Sequence, residues 1–375
     1  MVSIHRKHID TCLSATASIW LERQQRLWSY KCTGQGLAYI DQQLQEHLSD
    51  LKKCGRRAVS RALMKLEEQV SPEHTFVTTY CLCCAFEVYG VRHLESLLEK
   101  HADLIAAASS ALIWATPAQS EFFVERWCSS DDGYLRAAAL PAALMNPANN
   151  RQKLIRNGLD DDHPGVRSYT YRSVGEWQNK DFIEQLQQAF HQETDSGLGL
   201  YEAAAALALL GDTSSLHYMP YAINTPDNIH WQRFLLVWAA ISSDQQFEQW
   251  VINGENHFHN ESHVLLAIAL RGDPYYLKFI GNILMQQKQL TLSTYVIQHI
   301  VGSLHADIKH NPSGLYEWVT SNKQGLIPQR YYINGQLKEK IAKDMYQYGT
   351  QPQRWQAALY LTLQGEGGAM SLLSK

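Results

Sequence analysis

The chain has 375 residues, 45% of them hydrophobic, which is ample for an extended core, and a formal charge of −4 with a pI near 6.5. That balance argues against generic nucleic-acid affinity, which needs clustered Lys and Arg to displace counterions. Seven cysteines, an odd number without framework spacing, fit reduced thiols in a cytoplasm, and no apolar run reaches the roughly 18 residues that a membrane span needs.

From Met1 to Trp20 there is no clean apolar stretch behind the charged start, so no secretory signal is expected. Residues 1–35 predict a helix closed near Thr33-Gly34-Gln35-Gly36. Ile40, Leu44, Leu48 and Leu51 keep helical spacing up to a stop at Gly55, and Val59, Leu63 and Leu66 continue it. Ser71-Pro72 is a helix start, with Ser as N-cap and Pro at the first helical position. The stretch from Thr79 to Gly90 is apolar on nearly all sides and predicts a buried helix. A repeat rhythm begins near Ala106 and runs to about Leu304. Asn311-Pro312-Ser313-Gly314 breaks it, residues 321–350 are expected to be a polar, irregular insertion, and Trp355 to Leu373 reads as a last, capping repeat. The expected organisation is one elongated domain: an N-terminal helical cap over 1–100, repeats over 101–305, and the insertion with its cap over 306–375.

The repeat itself is visible in Asp131–Asn146, Asp161–Trp177, Leu200–Asp212, Trp231–Asp244 and His263–Asp273. Small residues close the segments at Asn146, Gly175, Gly211, Ser242, Gly272 and Gly302, in steps of 29, 36, 31, 30 and 30. A unit this short cannot bury its apolar face alone, so neighbours must stack into one core. The expected fold is therefore all-α, an α-solenoid. Asp131 and Asp132 precede Arg136, and Asp160, Asp161 and Asp162 precede Arg167, each just before a helix. Such an Asp can cap the helix, and such an Arg can reach the Asp of the adjacent repeat. Gly211-Asp212 and Gly272-Asp273 should close one helix and cap the next.

The arrangement of an Asp turn, Val-Arg, small residues and Gly resembles HEAT repeats of the phycobilisome-lyase-like type. His163-Pro164-Gly165-Val166-Arg167 followed by Val174-Gly175 is the best single match. Ile40 to Leu63, the Ala-rich helix near residue 110 and the block from Tyr201 to Asp212 look, together, like bacterial HEAT-repeat proteins whose genes often sit beside type VI secretion components and effectors. That resemblance implies a non-catalytic, cytoplasmic, effector-binding role, as an immunity protein or an adaptor or chaperone, and it carries over no catalytic residue. The later repeats, with Trp231, Trp238 and His263, depart from the Val-Arg pattern.

Cys81, Cys83 and Cys84 lie within one helix and cannot aim three thiolates at one point, which favours core packing over a metal. His259 and His263 are four apart and, with His257, offer the start of a zinc site, although the segment reads as a polar loop before a helix. No cofactor or metal is expected. No nucleophile elbow, P-loop or dinucleotide fingerprint is present, so no enzyme is expected. Lys52, Lys53, Arg56, Arg57, Arg61 and Lys65 follow helical spacing and suit a solvated face better than a phosphate site. If the Val-Arg register holds, Tyr169, Arg172, Trp231 and Arg233 point outward on the binding face, where Tyr, Trp and Arg carry most interface energy. The expected partner is another protein, a secreted toxin effector or a secretion component, with neither membrane nor specific nucleic acid. Rival readings are an alkyl-base DNA glycosylase type of nucleic-acid enzyme and a tetrapyrrole-lyase type of chaperone.

Overall fold

A computed structural model describes residues 2–27, 29, 31–85, 87, 89–193, 198–216, 229–257, 261–285, 290–304, 311–321, 332–333 and 336–365. Among them are twenty α-helices and one two-stranded hairpin of two residues per strand, which makes the protein all-α. The chain divides into two compact units, residues 1–171 and 172–374. No described helix is long and apolar enough to cross a membrane.

The first unit begins with α1 (Val2–Leu27), α2 (Gly34–Cys54), α3 (Arg56–Glu68), α4 (Pro72–Ala85) and α5 (Tyr89–Leu98). The predicted apolar face of α2 is buried through Leu37, Ile40, Leu44, Leu48 and Leu51, and Gly55 ends the helix at φ 55°. Thr33 has the opposite role to the expected one. Its hydroxyl accepts from the Gly36 N–H at 3.1 Å and so opens α2, while α1 has already ended at Leu27. Thr-Gly fits either end of a helix, and here the free first-turn donors decided it. In α4, Phe76, Val77, Tyr80, Cys81, Leu82 and Cys83 are all buried, as its unpatterned apolar sequence requires.

The unit continues with α6 (Ile105–Trp114), α7 (Pro117–Cys128), α8 (Gly133–Met145) and α9 (Arg151–Leu159). Helix α4 packs on α6, α6 on α8, and α7 on α8, so the N-terminal helices share one core with α6–α8. Small residues permit this: Ala107, Ala108, Ala111, Ala137, Ala138 and Ala139 are nearly inaccessible. Glu95 of α5 is clamped by Arg126 of α7 at 2.6 and 2.8 Å and by the Trp127 indole at 2.9 Å. Burial pushes the Glu95 carboxyl up, but these donors and the Arg126 charge outweigh it and hold the group below the ordinary range.

Helix α10 (Pro164–Glu176) spans the division. The second unit holds α11 (Ile183–Gln192), α12 (Leu198–Leu209), α13 (Ile229–Ile241), α14 (Asp244–His257), α15 (Glu261–Arg271), α16 (Leu277–Met285), α17 (Leu290–Val301) and α18 (Pro312–Thr320). Helices α12, α13, α15 and α17 pack in succession. Within 321–350, the described residues 332–333 and 336–350 are more regular than expected. They contain the hairpin of β1 (Tyr332–Ile333) and β2 (Gln336–Leu337) and then α19 (Lys338–Tyr348), which buries Lys338, Ile341 and Ala342. That apolar face is only one turn long, too short to stand out in a polar sequence. The last helix, α20 (Gln351–Leu363), packs against α19 and returns onto α13 and α15.

Candidate functional site

The residues singled out as repeat elements form a phased set of ties. Asp132 caps α8 by accepting from the Leu135 N–H at 3.0 Å. Arg136 donates to the carbonyls of Ser130 and Asp131 at 3.0 and 2.8 Å, and Arg167 donates to those of Asp161 and Asp162 at 3.0 and 2.9 Å. The two arginines are 31 residues apart and each ties back to its own turn with the same offsets. Arg136 also reaches forward, with a fork on both oxygens of Asp161 at 2.8 and 2.7 Å and a further contact to Asp162. Asp161, rather than the more exposed Asp162, is thus the principal partner. Burial raises the Asp161 carboxyl, and the Arg136 hydrogen bonds, the His163 N–H and the Arg136 charge more than reverse this, leaving it lowered.

The closing glycines behave as their position demands at Gly211, Gly272 and Gly302, with φ of 100°, 75° and 88°. Asp212 and Asp273 follow, accepting from the N–H of Ser214 at 3.0 Å and of Tyr275 at 2.9 Å. Gly175 is different: it lies inside α10, where an added Cβ would fall 2.6 Å from the Ala206 Cα. The left-handed residue after α10 is Gln178, with φ 55°, the Gln178 N–H on the Gly175 carbonyl and the Asn179 N–H on that of Val174. With the cap at 178 instead of 175, the uneven steps of 29 and 36 become 32 and 33.

Of the expected partner-binding residues, Tyr169 and Arg172 are half-buried. Arg172 donates to Glu176 at 3.0 Å. Arg233 does not point outward. It is 3% exposed, its Nε donates to Glu202 at 3.1 Å and its Nη2 to Glu176, and its Cζ lies 5.8 Å from the Trp355 ring centre. Two carboxylates waiting on α10 and α12 draw this side chain inward. Arg233 and Glu202 stand 31 residues apart, as do Arg126 and Glu95. That shared step was the available signal, and periodicity of apolar residues does not carry it. The side chain of Trp231 lies outside the described residues. So do the side chains of His257 and His263 and all of His259, so the zinc reading is not addressed there; among the described residues no group of three His, Cys, Asp or Glu side chains is placed to hold a metal.

The cysteines and the basic run have structural partners. Burial pushes the Cys81 and Cys83 thiols well up, and Cys84, also raised by burial, accepts from the Gln119 amide at 3.1 Å. Lys53 pairs with Asp50, Arg56 with Glu87 and Arg61 with Asp10, and Lys65 donates to the Ser14 hydroxyl. Three of the six charges on this face are thus matched by carboxylates.

Sequence reasoning missed a second buried polar chain. Gln356 of α20 donates to the Leu270 carbonyl at 2.8 Å, and its oxygen faces His299 Nε2 at 2.7 Å. His299 Nδ1 faces the Tyr295 hydroxyl at 3.1 Å, and that hydroxyl faces Thr350 at 3.0 Å. Since the Gln356 oxygen can only accept, His299 Nε2 carries the proton and Nδ1 accepts from Tyr295. Burial first, then the nearby Lys338 charge, push the imidazole down to about 4 against the raising effect of Gln356. Burial and Arg271 push Lys338 itself down to about 7.

The described geometry defines an all-α protein in which several buried charged residues join one helix to another. No protein-family model, curated protein or solved structure matches the chain.

Proposed function

We propose that this chain is a non-catalytic α-solenoid of HEAT-like repeats that binds another protein in the cytoplasm. The observation that carries the reading is one arginine-to-own-turn arrangement recurring after 31 residues, at Arg136 and at Arg167, together with the Arg136–Asp161 pair that links the two turns, because a local arrangement that returns at a fixed period is what a stack of like units is built from. Stacked helical repeats present extended surfaces suited to macromolecules. The pairing of Lys53, Arg56 and Arg61 with carboxylates, which thins the basic run on α2 and α3, supports a protein partner over nucleic acid.

The sequence resemblance supplies the partner class: a type VI secretion effector or delivery component. The chain then acts as an immunity protein enclosing a toxin, or as an adaptor holding an effector before loading. Tagged protein isolated from its source organism should bring down one stoichiometric protein encoded next to it. Toxicity of that protein alone, relieved by this chain, would assign immunity; a harmless partner would assign the adaptor role. Recovery of salt-sensitive DNA in place of a protein would overturn the reading in favour of the glycosylase-like alternative.

A further inference from the structure

We infer that a groove in the first unit is an anchoring pocket for an arginine side chain of the partner protein. The inference rests on the protein-binding reading and gives it a place and a chemistry. The groove lies between α6, α7 and α8 and has a volume of about 250 Å³. That is below the usual range of roughly 300–1,000 Å³ for small-molecule sites and suits one long side chain.

Its lining is divided in character. Leu112 and Ile113 from α6, Val124 from α7 and Met145 from α8 supply apolar surface, while Glu121 and Glu125 of α7 line it with carboxylates. The two glutamates are four residues apart, hence neighbours on one helical face, and both are exposed. Among the described residues neither has a hydrogen-bond or ion-pair partner. The carboxylates at the helix junctions of the same unit are answered internally: Asp41 by Arg23, Asp10 by Arg61, Glu95 by Arg126 and Asp161 by Arg136. Two like charges one turn apart also repel each other, so a shared cation relieves a standing cost.

An apolar lining beneath paired carboxylates is complementary to a side chain with an aliphatic stem and a cationic head. Arginine fits better than lysine because its planar fork offers donors to two carboxylates at once. Phe122, 40% exposed on the same helix, adds aromatic surface of the kind interfaces use.

The test labels the methionine methyl groups with ¹³C and titrates the full-length protein with a capped pentapeptide, Ala-Leu-Arg-Leu-Ala. Met145 reports on the groove, and Met64, 43% exposed on α3, is the control. The expected result is a saturable shift of Met145 with Met64 unmoved, no shift with the citrulline analogue, and binding weakened about tenfold or more in E121Q/E125Q. Both substitutions sit on the surface and leave the fold intact, which the unchanged Met64 signal would verify. An unmoved Met145, or equal shifts with citrulline or in the double variant, would overturn the inference. Undiminished capture of the native partner by E121Q/E125Q would also overturn it while leaving the protein-binding reading intact. A Met145 response without any captured protein would overturn that reading instead and leave the guanidinium chemistry of the pocket standing.

Discussion

Arg233 is held by Glu176 and Glu202, with all three side chains 4% exposed or less, and its Nη1 has no hydrogen-bond partner among the described residues. Removing one member of such a cluster strands the others, which typically costs about 3–5 kcal/mol. Arg233→Met should therefore lower unfolding stability by that amount, whereas the combined R233M/E176Q/E202Q variant should recover part of it; urea titration of both variants checks this. A cost near zero for R233M alone would show that Arg233 is not a tie. His299 gives a pH test. Its folded value of about 4 lies below the ordinary 6.5, so the unfolded chain takes up the proton first. The His299 contribution is complete above pH 6.5 and falls as the pH drops toward 4, by about 2 kcal/mol between pH 7 and pH 5, while that of Lys338, held near 7, falls mainly above that window. Carboxylates titrate mostly below that window. His299→Gln should flatten the slope, and an unchanged slope would place the effect elsewhere. At this scale the sequence was legible where partners are near in sequence: Arg136 and its Asp turn could be read directly. Arg233 was assigned to the surface because its partners lie 31 and 57 residues away. The Gln356 contact with Leu270 spans 86 residues, and no local pattern announces it.

Two glycines near the ends of helices serve different ends. Gly175 is the close-approach point between α10 and α12, where a Cβ would meet backbone that cannot step aside. Gly211 needs its positive φ and faces open space. Gly175→Ala should cost about 1–3 kcal/mol by overpacking, and Gly211→Ala about 1 kcal/mol by backbone strain alone. Thermal unfolding of the two variants side by side checks the order, and a larger loss for Gly211→Ala would contradict it. The helices themselves were mostly legible, because apolar spacing and caps such as Ser71-Pro72 are local signals. The exceptions have local causes too. Thr33-Gly34 is ambiguous between start and stop, Gln178 takes a left-handed cap that glycine normally fills, and α19 buries only one turn of apolar surface.

Across the whole chain the common thread is a step near 31 residues that sets both apolar segments and charged ties. Arg136 and Arg167 repeat one tie, and the Arg126–Glu95 and Arg233–Glu202 pairs each span the same separation of 31. The most direct test is the mass of the native particle. Protein isolated from its source organism after nuclease treatment should have a light-scattering mass above the 42.7 kDa of the chain by that of one distinct protein. A particle of 42.7 kDa alone, or extra mass that nuclease removes, would contradict the protein-binding account.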